Sequence, residues 1–530
     1  MKTLTEKCSI PEVSHTVNPK FECFRRILPQ VIAAAAPILM YLTVGIIGAF
    51  PTILIPALTA KNTESVLHLT IDQASWFGST SYIFRSVGCL VAGIGPRTLG
   101  WRKLIMLASL LQAGCWLLIY LAPSAHTLFI SQSLLGIVSG LIESLSSQYM
   151  AEICEPSVRG TLLALIALAV TMGYFIVFSL DYMTKWQNIA AINVSLPLLC
   201  TVLVTQIPDS PIWLLSQGRP THALKSLQWL RGWTSAELVQ EEFEKLEAHY
   251  KKRTEQALRS KTAGEYEYEL CPTTDKMRLG TSEKQWSRKV IFSSAANLYR
   301  DVFREEMLRP FLKCLSLFAI VAFSGLPCLT TYMKKMFQDL ELSINSNQSI
   351  MLVTCGALVG NCGCALLVHK VNKKPMLEFS LICCALCLVQ TALFLMGCMP
   401  GPRDSIAYRW SSVVLISAYY LFANLGLLPI SRAYFGEILP HRGREVAASV
   451  LTSICSWFMV ISVKTFPALT QALRLEGVLL LFAAVCIGGV FFSMSLPETE
   501  GKHLQDIEAE VARRVSINES KHETSKACSC

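Results

Sequence analysis

Apolar residues in this chain are gathered into twelve blocks, near 30–54, 74–95, 103–122, 128–150, 160–182, 187–207, 310–333, 348–369, 374–398, 410–434, 446–468 and 475–496. A helix needs about 20 consecutive apolar residues to cross a bilayer. In lipid only helices and closed barrels satisfy their own backbone, and barrels use short alternating strands. The pattern therefore predicts an all-α integral membrane protein with twelve transmembrane helices. Composition agrees: 52% of the 530 residues are hydrophobic and 16% charged, against about 25% charged in soluble domains.

Charge sets the expected orientation. The first 29 residues are polar and show no small-residue cleavage site, so no secretory signal peptide is expected. Arg25 and Arg26 flank the first helix, against Lys61 in the next loop, which predicts a cytoplasmic N-terminus. An even helix count puts the C-terminus on the same side. The short loops agree in part: Arg102, Lys103, Arg159, Lys373, Lys374, Arg442 and Arg444 fall inside, whereas Lys334, Lys335, Arg403 and Arg474 fall outside. The net charge of +9 reads as topology charge rather than nucleic-acid binding. Most of the 20 cysteines lie within apolar helices, as Cys362, Cys364, Cys383 and Cys384 do, and read as small packing residues. Cys528 and Cys530 are free thiols of the tail or palmitoylation sites.

The chain repeats itself. Tyr149-Met-Ala-Glu152 and Pro156-Ser-Val-Arg159-Gly160 follow the fourth helix, and Tyr434-Phe-Gly-Glu437 with Pro440-His-Arg442-Gly443 follows the tenth. Gly100-Trp-Arg102-Lys103 after the second helix is answered by Asn372-Lys373-Lys374 after the eighth, and the acidic proline boxes Pro208–Trp213 and Pro497–Lys502 close the two halves. Such duplication predicts two pseudo-symmetric six-helix bundles with cargo bound between them. The expected parts are an N-terminal tail (1–29), a first bundle (30–207), a cytoplasmic loop with surface helices (208–308), a second bundle (309–496) and a C-terminal tail (497–530). In the loop, Leu224, Leu227 and Leu230 have helical spacing, Thr234 and Glu237 suggest a capping box, and Val239, Phe243 and Leu246 line one face of the next helix. Residues 251–290 are polar and aperiodic; the tail from 503 begins with helical spacing of Leu504, Ile507 and Val511.

Gln73–Ser79, Tyr149–Thr161, Pro208–Arg219, Trp229–Gly232, Gly436–Ser449, Lys464-Thr-Phe466 and Pro497–Lys502 together resemble the sugar porters of the major facilitator superfamily, the insect facilitated trehalose transporters most of all. The resemblance spans nearly all of 30–512. It implies the major facilitator fold, alternating access, a sugar as cargo, a plasma-membrane location and no cofactor. By residue it implies a cytoplasmic lock of gating charges at Arg102, Lys103, Glu152, Arg159, Glu437, Arg442 and Arg444, which otherwise read as ordinary positive-inside charge. Arg97 and His369 stand where the family carries acids before the loop glycine, so the lock should be loosened toward an inward-facing state.

The cargo positions depart further from the family. Its Gln-Gln pair in the seventh helix is Val321-Ala322, followed by Ser324 and Gly325; the fifth-helix Gln is Ala167, the tenth-helix Trp is Arg432, and the fourth-helix Arg is Gln132, while Tyr332, Thr171 and Gly173 are retained. Amides suit hydroxylated cargo because each donates and accepts. Arg432 would instead attract a carboxylate, phosphate or sulfate, or join the lock near Glu437.

Charges within the spans carry information of their own, since each needs a partner or water. Arg85 lies in the second helix and Glu143 in the fourth, at similar depth. They suit an intramembrane pair or separate contacts to cavity water. Asn347-Gln-Ser349 is a candidate glycosylation site in the loop after helix seven. No phosphate-binding loop, zinc spacing or nucleophile elbow is present, so neither an enzyme nor an ATP-driven pump is expected, and no metal. Three functions remain: a sugar facilitator, a carrier of a small organic anion using Arg432, and a non-transporting receptor-like member. The expected partners are a small solute and the lipid bilayer.

Overall fold

The computed structural model describes residues 19–59, 68–248, 305–339, 345–368, 371–397, 406–438 and 444–496. Among them regular structure is helical throughout. The first half holds α1 (Pro19–Thr59), α2 (Ile71–Leu99), α3 (Trp101–Tyr120), α4 (Ala125–Ile153), α5 (Pro156–Met183), α6 (Trp186–Asn193) and α7 (Ser195–Gln206). Short helices α8 (Pro211–Ser216), α9 (Pro220–Leu230) and α10 (236–248) follow. The second half holds α11 (Glu305–Phe323), α12 (Leu326–Asp339), α13 (Ser346–Leu367), α14 (Lys373–Leu395), α15 (Ile406–Phe422), a π-helical turn (Ala423–Leu427), α16 (Leu428–Ile438) and α17 (Arg444–Ser493).

Ten helical segments of the described residues are long and apolar enough to cross a membrane. The last of these, in α17, is two spans joined at Arg474, whose φ of 56° and ψ of 171° break the helix. α2 has the length of a span and packs between α4 and α17, but Asp72, Arg85 and its serines reduce its hydropathy. With both counted, the protein is a multi-pass membrane protein of twelve spans in two sets of six. Local signals set the helix starts. Thr70 and Gln73 form a capping box on α2, and Ser124 and Ser210 accept from the main chain to open α4 and α8. The capping box expected at Thr234 does not form. The Thr234 N–H is taken by the Gln228 carbonyl, its hydroxyl is buried without a partner among the described residues, and α10 starts at 236. The apolar face expected of α10 is present: Val239 and Phe243 pack with Leu214, Leu215 and Leu227 of α8 and α9.

Helices in lipid gain little from hydrophobic burial against each other, so close backbone approach has to hold them together. Gly136 and Gly140 of α4 form a small-xxx-small seam against α2. A Cβ on Gly140 would lie 2.2 Å from the Arg85 carbonyl oxygen, and one on Gly136 2.5 Å from that of Ser81. From α2, a Cβ on Gly88 would lie 2.1 Å from the Ile137 carbonyl oxygen. The second half uses the same device, with Gly356 and Gly360 of α13 against Ser417 and Leu421 of α15.

The apolar core divides unevenly. One cluster joins Ile53, Leu54, Phe77, Trp116 and Phe178, at the α1–α2 loop end of the first half, to the whole second half. Met40, Trp101, Ile142, Tyr149 and Cys200, toward the opposite end, belong to a separate cluster confined to the first half and α9.

Gly140→Ala is expected to destabilise the protein by about 1–3 kcal/mol through overpacking, read as a lower melting temperature in detergent. Arg474→Gly should stabilise by about 1 kcal/mol, because Arg474 occupies backbone space suited to glycine, read in the same melt.

Candidate functional site

The α2–α4 seam determines the site. Arg85 is the midpoint of α2, about 21 Å along the axis from either end, and Gly140 lets α4 approach its backbone directly. One turn further along α4, Glu143 meets Arg85: Arg85 Nη2 and Glu143 Oε2 form an ion pair. The Tyr41 hydroxyl of α1 donates to the Glu143 main-chain carbonyl at 2.6 Å and fixes that turn. Arg432 Nη2, from α16 in the second half, lies 3.8 Å from Glu143 Oε1. The side chains of Arg85 and Glu143 are 19% and 17% exposed, and that of Arg432 34%.

These three residues line a small cavity, of about 80 Å³, that opens to solvent. Tyr82, Tyr174, Ser81 and Ser139 add hydroxyl-bearing walls, and Val44, Ile47 and Val170 add apolar ones. Gly48 leaves room for the Tyr174 hydroxyl, which would lie 2.4 Å from a Cβ there. Among the described lining residues, Arg432 is the one from the second half. Its placement depends on the π-helical turn before it. Pro429 has no N–H to give to an α-helical ladder. The wider turn absorbs this, and Ser380 of α14 braces it, accepting from the Leu427 N–H at 2.9 Å and donating to the Phe422 carbonyl at 2.6 Å. A π-turn inserts one residue and so rotates the face that follows.

The other cargo positions read from the sequence are buried elsewhere. Val321 and Ala322 are fully buried in α11 and do not line the cavity. Ser324 and Gly325 break the seventh span between α11 and α12; Gly325 has a φ of 98°, and the Ser324 carbonyl accepts from the Tyr419 hydroxyl at 3.0 Å. Tyr332 stacks on Phe466 at 5.2 Å, and its buried hydroxyl has no partner among the described residues. Thr171 accepts from Asn361 Nδ2 across the two halves at 2.8 Å. Gln132 is fully buried, with no partner for its amide among the described residues.

Of the gating charges, Arg102 donates to the Thr205 carbonyl at 2.5 Å, Glu152 accepts from the Ser210 hydroxyl, and Lys103 is exposed. Beside them, burial raises the Asp209 carboxyl above its usual range, while Arg102, Lys103 and Arg219 pull it back. The side chains of Arg159, Glu437 and Arg444, and all of Arg442, lie outside the described residues, as do those of Arg97 and His369. So do 251–290, the tail and its cysteines. Asn347 lies in the first turn of α13 rather than in a loop, because Asn345 caps that helix and accepts from its N–H at 3.1 Å.

Besides Arg432–Glu143, two inter-half ion pairs were not anticipated from the sequence. At the end of the bundle near the α1–α2 loop, Lys464 of α17 donates to Asp72 and Ser75 of α2, each at 2.7 Å, and sits 4.2 Å over the Trp76 ring. Lys334 of α12 pairs with Asp181 of α5. The available signal was a lysine within each of two apolar spans, Lys334 in the seventh and Lys464 in the eleventh.

Residues 30–511 match the family model described as sugar (and other) transporter. The chain is 25% identical over 488 residues to a facilitated trehalose transporter of Apis mellifera ligustica, covering 91% of this chain and 88% of that one. It is 28% identical over 514 residues to one of Drosophila simulans, where it covers 96% of its own length and 55% of that longer protein. In fold it is similar to the E. coli xylose transporter XylE in a partially occluded inward-open conformation, with a TM-score of 0.66 and 16% identity, covering 89% of this chain and 99% of that one.

Removing one member of the charged centre should harm folding more than removing a balanced pair. Glu143→Leu, which leaves two facing cations, should lower the yield of monodisperse protein most. Arg85→Leu should lower it less, because Arg432 remains near Glu143, and Arg85→Leu with Glu143→Leu least. Size-exclusion profiles of the three variants check the order.

Proposed function

This chain belongs to the sugar (and other) transporter family, and we propose that it carries a sugar-class solute across the membrane by alternating access between its two halves. The observation that carries this reading is a cavity between the halves with unequal ends. Toward the α1–α2 loop, the apolar core is shared by both halves and stapled by the Lys464–Asp72 and Lys334–Asp181 pairs. Toward the other end, the first half keeps its own core. A solute can enter a site of this kind from one side. Release on the other side requires the staples to part while the opposite ends come together. The more exposed staple, Lys464–Asp72, contributes roughly 0–1 kcal/mol, weak enough to break in every cycle. With a cytoplasmic N-terminus, the end where the described residues share no apolar core faces the cytoplasm, the side that the departures at Arg97 and His369 would loosen. The relatives' cargo, trehalose, and the plasma membrane are the first substrate and location to examine.

The purified full-length chain in liposomes should take up labelled glucose, trehalose or a charged sugar derivative with saturation, and unlabelled solute inside should accelerate entry. Entry of every sugar probe at the protein-free rate would sink the reading.

A further inference from the structure

We propose that the cavity at Arg85, Glu143 and Arg432 selects an anionic group, a carboxylate or phosphate on a hydroxylated solute, with Arg432 as its principal contact. This rests on the transport reading and names the substrate class of the same cavity.

Two guanidiniums face one carboxylate. Arg85 engages Glu143 directly, whereas Arg432 stands 3.8 Å away, outside hydrogen-bond range, and among the described residues makes no hydrogen bond. Among the described residues the centre therefore carries one excess positive charge, with planar N–H donors lining the cavity. A neutral solute that displaced water from the cavity would leave that charge uncompensated, which is costly. A carboxylate or phosphate both cancels it and matches the guanidinium fork with two parallel hydrogen bonds.

The remaining walls fit the rest of such a solute. No asparagine or glutamine is among the described lining residues, so the amides that suit a neutral polyol are missing. Tyr82, Tyr174, Ser81 and Ser139 can still serve a few hydroxyls. The arrangement also couples binding to motion. Glu143 belongs to the first half and Arg432 to the second, so an anion seated on Arg432 exchanges a loose inter-half attraction for a ligand-mediated one.

The test uses the full-length chain in liposomes with labelled glucuronate, glucose 6-phosphate, glucose, trehalose and inorganic phosphate, together with melting shifts for each in detergent. Arg432→Gln and Arg432→Lys are compared after size exclusion confirms a monodisperse peak. The expected result is uptake of a charged sugar that competes at least about tenfold better than glucose, as a charge-assisted contact implies. Arg432→Gln should lose about tenfold of that preference, and Arg432→Lys should recover part of it. Should a variant fail to fold, competition among the probes on the unaltered chain decides the same question. Uptake of glucose or trehalose that charged analogues do not inhibit would overturn this inference and leave sugar transport standing. Binding of inorganic phosphate with no sugar entering would uphold the anion site and overturn sugar transport. Absence of both uptake and melting shift for every probe would overturn both.

Discussion

An unpaired charge at the centre of a membrane span costs about 2.5–3.5 kcal/mol on insertion scales, and this chain places two arginines and a glutamate where that cost applies. Arg85 and Glu143 are tolerated because α2 and α4 touch backbone to backbone. Gly140 lies against the Arg85 carbonyl, so the arginine side chain emerges beside Glu143 with no intervening layer. With a larger residue at that crossing, the carboxylate and guanidinium would be held apart and each would need water instead. The glycine seam and the ion pair are thus one structural device, with packing supplying the proximity that electrostatics requires.

The same logic separates the two ends of the molecule. Near the α1–α2 loop, the halves share apolar core and two ion pairs. At mid-depth, polar contacts join the halves: the buried Thr171–Asn361 hydrogen bond, and Arg432 standing off from Glu143. A dense apolar interface resists sliding, whereas a polar one can exchange partners with water or with a solute. This gradient from fixed to exchangeable contact is what a carrier needs.

Departures from the family pattern fall around this centre. The positions where sugar porters carry amides are the apolar Val321 and Ala322, buried in α11 away from the cavity. On the anion-site proposal, polar contacts to cargo would come instead from residues of α2, α4 and α16. The fold tolerates this because the spans are held by small-residue seams and shared core, not by the cargo-facing side chains. Likeness to a family therefore carries the architecture further than it carries the substrate.

The twelve spans, the duplication and the two charged residues of the fourth and second helices were legible in the sequence, because apolar length, repeated loop motifs and the depth of a residue along a helix are one-dimensional quantities. Helix faces and breaks were not. The π-helical turn that aims Arg432 arises from Pro429 together with Ser380, which sits on a different span. The failed cap at Thr234 was decided by a main-chain bond to Gln228. The staples at Lys464 and Lys334 join residues up to 392 positions apart. Sequence thus determined which segments cross the bilayer and which charges have to be paired. Tertiary structure chose the partners, because pairing depends on how closely and at what rotation two helices meet, and that is set by contacts between segments rather than within them.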